Sequence, residues 1–170
     1  MANDFRNTGL PLGLRNNNPG NLRPGDNWQG MVGTNKGFIV FSDFAYGVRA
    51  WIIDLHTDII LHGQNTIRKR VEAYAPESDG NNTERYVQDV AAAVGVDADA
   101  IMPTDYDSLY LMFMAHMIEE NGRTAASNIS PDDFKEGFDL VPATKRAFFQ
   151  SRQRLATNFE KTRCEVSQWS

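Results

Sequence analysis

Apolar side chains recur every three or four residues along most of the chain beyond Ser42. Val48, Trp51, Ile52, Leu55 and Ile59 share one helical face, and Ser42 or Asp43 stands ahead of them as an N-cap. Ile67, Val71 and Tyr74 predict a short helix after Thr66. Residues 75–82, APESDGNN, read as a loop from their Pro, Gly and Asn content. Thr83 then caps TERYVQDVAAAV, whose stripe is Tyr86, Val87, Val90 and Val94 and whose stop is Gly95. Ahead of Ser42 the period changes. The runs 28–32 and 38–41 are strand-like and flank GTNKG, a hairpin turn. Residues 1–14 carry no period and are expected to be disordered or extended.

Residues 106–120 differ from the other helices. Leu109, Leu111, Met112, Phe113, Met114, Ala115, Met117 and Ile118 leave almost no polar face, as in a helix buried at the centre of a domain. Its only polar side chains beyond the first turn, His116, Glu119 and Glu120, share one sector at its C-terminal end. Asn121-Gly122 stops it, and Ser130-Pro131-Asp132-Asp133 starts another helix with a cap, a proline and two acids. A last helix is expected from about residue 142, with Phe148, Leu155 and Phe159 on its sparse apolar side. The fold class that follows is mainly α, of the α+β kind, with one short β-hairpin. The organisation is an N-terminal segment 1–14, a domain 15–140 and a basic tail 141–170.

A chain of 170 residues buries roughly 70% of its unfolded surface and holds a core without disulfide or metal. One cysteine, Cys164, excludes an internal disulfide, and His56, His62 and His116 are too few for a His-rich metal site, so no cofactor is expected. No apolar run approaches the ~20 residues of a membrane span, and the first residues lack the apolar core of a signal peptide. The net charge is −5, but residues 141–170 carry six basic and two acidic side chains, +4, leaving −9 on the rest. An acidic body argues against nucleic acid as the ligand. The basic tail is either a solvated face or a contact for an anionic partner such as a virion component. A monomer is expected.

The pair Glu119 and Glu120 is the main candidate chemistry. A carboxylate beside an apolar helix and at its negative dipole end is expected to have a raised pKa. An acid still protonated near neutral pH is what glycosidic cleavage needs. Glu120, which follows the Phe113 and His116 face, is the first candidate and Glu119 the second; the alternative is a solvated helix end with Glu120 paired to Arg123. Asn16, Asn17, Asn18 and Asn21 offer donors and acceptors suited to sugar hydroxyl and acetamido groups, or else form a capped, self-bonded turn. Trp28, Tyr74 and Tyr86 offer flat faces for sugar rings or pack in the core. His116 lines the site or satisfies a buried hydrogen bond.

Four segments carry a family resemblance: LRNNNPGNLRPGDNWQG (14–30), GFIVFSDFAYGVRA (37–50), YAPESDGNNTERYVQDVAAAVGV (74–96) and MFMAHMIEENG (112–122). Together they resemble phage virion-associated lytic proteins, similar to lysozyme-like murein hydrolases such as lytic transglycosylases and goose-type lysozymes. The resemblance implies a catalytic Glu at the end of a buried helix, here Glu120 in Glu120-Asn121-Gly122. It also implies a Gly-rich approach to a hairpin and a later helix bringing a tyrosine, Tyr86, to the cleft. In those enzymes the Glu helix precedes the hairpin, whereas no Glu occurs here before Glu72. The implied fold is therefore a circularly permuted lysozyme-like domain, with Gly122 near Arg15.

The expected activity is cleavage of the peptidoglycan glycan strand between N-acetylmuramic acid and N-acetylglucosamine. No second carboxylate is identifiable at the spacing of a two-acid glycosidase, which favours a one-acid lytic transglycosylase. A muramidase would draw on Asp26, Asp43 or Asp54. The alternatives are a murein endopeptidase, or a virion or cell-wall-binding protein without activity. The expected location is the phage virion or the host periplasm and cell wall.

Overall fold

The hairpin is set by its turn. Lys36 (φ 51°) and Gly37 (φ 82°) are both left-handed, the signature of a two-residue turn that matches strand twist. It joins β1 (Met31–Asn35) to β2 (Phe38–Phe41) in antiparallel register, Asn35 opposite Phe38 and Met31 opposite Phe41. The register slips between Met31 and Gly33, where Val32 is exposed. β1 therefore begins three residues later than the apolar run suggested. Trp28 is left before it, half-buried against the Ile39, Phe41 and Ala50 cluster.

The computed structural model describes residues 1–150. Its helices are α1 (Leu12–Arg15), α2 (Phe44–Leu61), α3 (Ile67–Tyr74), α4 (Thr83–Val94), α5 (Tyr106–Asn121), α6 (Arg123–Ala126) and α7 (Pro131–Asp139), with a short 3-10 turn at Glu77–Asp79. Residues 143–150 are helical as well. Among the described residues the protein is mainly helical with one small antiparallel sheet.

The chain divides into two compact units. One comprises Met1–Gln64 with Met114–Pro142; the other comprises Asn65–Phe113 and resumes at Ala143. In the first, Asp43 caps α2 by accepting from the Ala45 and Tyr46 amides. The α2 stripe read from the sequence is buried, with Val48, Trp51, Ile52 and Leu55 at 1% exposure or less. Each such side chain contributes about 1.5–3 kcal/mol on burial. α7 packs across α2. It starts with a full capping box, in which Ser130 accepts from the Asp133 amide while the Asp133 carboxylate accepts from the Ser130 amide.

Residues 1–14 depart from expectation, being folded onto this unit. Phe5 is buried edge-on against Phe44, with centroids 4.9 Å apart. The Asn3 amide donates to Asp133 (2.6 Å), and the N-terminal ammonium pairs with Glu136. Those partners lie more than a hundred residues away in sequence, so no local period announces them.

In the second unit α3 packs on α4. Thr66 caps α3 as read. The cap of α4 is Asn82, one residue before the expected Thr83; Thr83 is instead buried and donates to the Ala75 carbonyl at 2.6 Å. The Arg68 guanidinium bonds Glu84 (2.6 Å) and Asp99 (2.8 Å). These bonds raise the Arg68 pKa and lower that of Glu84.

α5 is capped by Asp105, which accepts from the Ser108 amide, and ends at Gly122, φ 83°. Leu109, Met112, Phe113, Ala115, His116 and Met117 are buried. Leu111 is 43% exposed, so one edge of the all-apolar helix faces outward. Of the last expected helix, Phe149 is buried and Phe148 half-buried, while Leu155 and Phe159 lie outside the described residues.

Candidate functional site

The site is built where the Asn-rich turn after α1 meets the end of α5. Asn17 (φ 51°) and Asn21 (φ 48°) both take the left-handed conformation, which Asn tolerates better than other side chains. The turn is then fixed from inside. Asn17 Oδ1 accepts from the Phe5 amide (2.9 Å), and its Nδ2 donates to Asp4 (2.8 Å) and to the Phe41 carbonyl (3.2 Å). Asn18 Nδ2 donates to the Leu22 and Ile39 carbonyls at 3.0 Å each, and its Oδ1 accepts from the Leu22 amide. Asn16 Oδ1 accepts from Asn35 Nδ2 (3.0 Å), and its carbonyl accepts from the Phe41 amide.

All three side chains are at 1% exposure or less. The self-bonded turn is therefore the arrangement present. Asn17 and Asn18 hold β2 against the turn through the Phe41 and Ile39 carbonyls.

Close approach of backbones completes the frame. A Cβ on Gly47 of α2 would stand 1.8 Å from the Asn17 carbonyl oxygen. A Cβ on Gly13 would stand 2.9 Å from Asn21 Oδ1 and 3.6 Å from Asn121 Oδ1, so Asn21 and Asn121 converge on α1. Asn21, half-buried, donates from Nδ2 to Glu120 Oε2 at 3.4 Å, a long bond spanning 99 residues of sequence. The end of the Glu120 helix thus lies beside the turn that carries Asn21.

Glu120 is exposed and Glu119 half-buried. The wheel that placed Glu120 with Phe113 and His116 holds through His116, 2% exposed and edge-on to Trp51 at 5.9 Å. Its last turn runs past the covered zone and leaves Glu120 exposed.

Tyr86 is buried on the inner face of α4, and Tyr74, half-buried, carries the Arg70 guanidinium 5.7 Å from its ring centre. Both belong to the second unit. Asp43 is occupied as a helix cap, Asp26 is exposed and Asp54 half-buried. Sequence reasoning missed Asn121 and Gly13, which join Asn21 and Glu120; a polar residue just before a helix-stop glycine gave no sign beyond the stop itself. Among the described residues no group of three or more His, Cys, Asp or Glu is placed to hold a metal ion. No helix among them is long and apolar enough to cross a membrane.

No protein-family model matches the chain. Over 134 residues it is 31% identical to Protein P5 of Pseudoalteromonas phage PM2, an overlap of 75% of this chain and 79% of that protein. The chain belongs to the Protein P5 family. The phage character expected from its motifs is therefore shared by a relative across most of both lengths.

Proposed function

We propose that the chain is a phage murein-degrading protein that cleaves the glycan strand between N-acetylmuramic acid and N-acetylglucosamine, with Glu120 as general acid and base. The observation that supports this reading is the meeting of Glu120 with Asn21 at the end of a largely buried helix. An accessible carboxylate beside an amide donor can receive a sugar and hydrogen-bond its hydroxyls. A bound glycan would itself cover Glu120, and that desolvation favours the protonated form that glycosidic cleavage requires. The one-acid arrangement fits a lytic transglycosylase, in which a hydroxyl of the muramic acid closes an anhydro ring as the bond breaks. The lysozyme-like permuted architecture belongs to the same proposal, as does action at the host cell wall from the virion or the periplasm.

The test is peptidoglycan clearing by purified protein, with mass spectrometry of the products. Anhydro sugars mark the transglycosylase and reducing ends the muramidase. Glu120→Gln is expected to reduce clearing about 10²–10⁴-fold with unchanged thermal stability, because the side chain is exposed. Glu119→Gln should retain most activity. Full clearing by Glu120→Gln overturns the assignment. Release of free peptides would make the protein an endopeptidase, and an inactive wild type would make it a wall-binding or virion component.

A further inference from the structure

A second concavity in the same unit, about 650 Å³, is lined by Arg6, Asn7, Arg15, Asn16, Asn35 and Lys36 among others. No Asp or Glu lines it. Arg6 is already neutralised by Asp4, to which it donates from both Nε and Nη2. Among the described residues Arg15 and Lys36 have no carboxylate within ion-pair distance, so two cations face one pocket without an internal counter-charge. Two buried donors on residues that line it also lack acceptors. Asn16 is 99% buried; its Oδ1 is used by Asn35, but its Nδ2 has no hydrogen-bond partner. Arg15 Nε is buried and unpartnered in the same way. A native fold rarely leaves such groups unsatisfied, because each buried orphan costs about 1–3 kcal/mol.

We infer that this pocket is a binding site for an oxyanion, a carboxylate or phosphate group, with Arg15 and Lys36 supplying charge and Asn16 Nδ2 a directed donor. An anion with two or three oxygens satisfies a guanidinium, an ammonium and an amide at once, and charge-assisted bonds of this kind are the strong ones. A neutral sugar brings no charge to offset the two cations. The inference does not depend on a catalytic role for Glu120.

The experiment uses the full chain labelled with ¹⁵N at low ionic strength, following the side-chain amide signals of Asn16 and Asn35. The probes are inorganic phosphate, N-acetylmuramic acid and N-acetylglucosamine; the two sugars differ by the lactyl carboxylate. The expected result is saturable shifts at Asn16 with phosphate, with N-acetylmuramic acid or with both, and none with N-acetylglucosamine. Phosphate alone would indicate a phosphoryl ligand, and muramic acid alone a sugar acid. Arg15→Gln and Lys36→Asn should each weaken the response about tenfold; Asn at 36 removes the charge yet tolerates the left-handed turn. Glu120→Gln should leave the response unchanged, which separates failure here from failure of the catalytic reading. Absence of saturable shifts with both anions overturns the inference. So does an equal response to N-acetylglucosamine, or a response indifferent to both the Arg15 and Lys36 variants.

Discussion

Asn17 shows how one side chain can decide the shape of a site without facing it. Its amide satisfies the Phe5 amide, the Phe41 carbonyl and Asp4 together. Asn17→Ala strands the first two, at about 1–3 kcal/mol for each buried group left unpaired. The expected outcome is a clear fall in Tm, with hydrogen exchange faster first in residues 3–6. The Asp4 carboxyl is held well below its usual pKa, chiefly by its hydrogen bonds from Arg6, and also by the Asn17 amide, against a smaller opposing effect of burial. A carboxyl with a lowered folded pKa adds stability above the unfolded value, about 4, and loses it as pH falls through the folded one. Asp4→Asn should therefore lower stability near neutral pH and flatten its decline from about pH 5 to about pH 2. Urea unfolding across that range checks this; parallel curves for both proteins would remove Asp4 from the acid response. The composition of the Asn run was readable from the sequence, but the choice between ligand and backbone was not. An amide makes the same bonds to either, and two of the carbonyls that claim Asn17 and Asn18, those of Phe41 and Ile39, arrive 24 and 21 residues later.

Elements whose ends are set by neighbouring residues were legible: the α2 and α3 caps, the α7 capping box, and the Gly95 and Gly122 stops. The hairpin turn was legible because Lys36-Gly37 separates two apolar runs, but β1 slid toward that turn because pairing with β2 outweighs the apolar run around Trp28. The packing of α7 on α2 was not legible, since it depends on an absent side chain. A Cβ at Gly137 would fall 2.4 Å from Val48 Cβ and 2.9 Å from the Ala45 carbonyl oxygen. Gly137→Ala should cost about 1–3 kcal/mol through forced separation of the helices. Val48→Ala in the same chain should recover part of that loss, so the double variant is more stable than the two single losses predict. Strict additivity in a double-mutant cycle would mean the helices do not meet at this pair. The permissive end of α5 escaped the wheel for a different reason: a helical wheel gives direction around an axis, not the depth at which covering ends.

At the scale of the molecule the sequence was least informative, because contacts between Met1–Gln64 and Met114–Pro142 leave no trace in a local pattern. The charge asymmetry was fully readable. Removing residues 151–170 takes four basic and two acidic side chains and moves the net charge from −5 to −7. Ending the chain at Gln150 keeps the buried Phe149. This truncation should weaken sedimentation with anionic peptidoglycan at low salt more than at high salt. Equal binding at both salt levels in both chains would end the electrostatic role. The division of the first unit between two stretches of chain also reaches into its synthesis. When α2 leaves the ribosome, α7 has not been translated, and the intervening residues take roughly several seconds at ~5–20 residues per second. Through that interval Val48 and its neighbours on α2 have no α7 to cover them. The nascent chain therefore carries an apolar surface that a trigger-factor-like holdase would protect, and slowed translation between residues 64 and 131 would lengthen its exposure to aggregation.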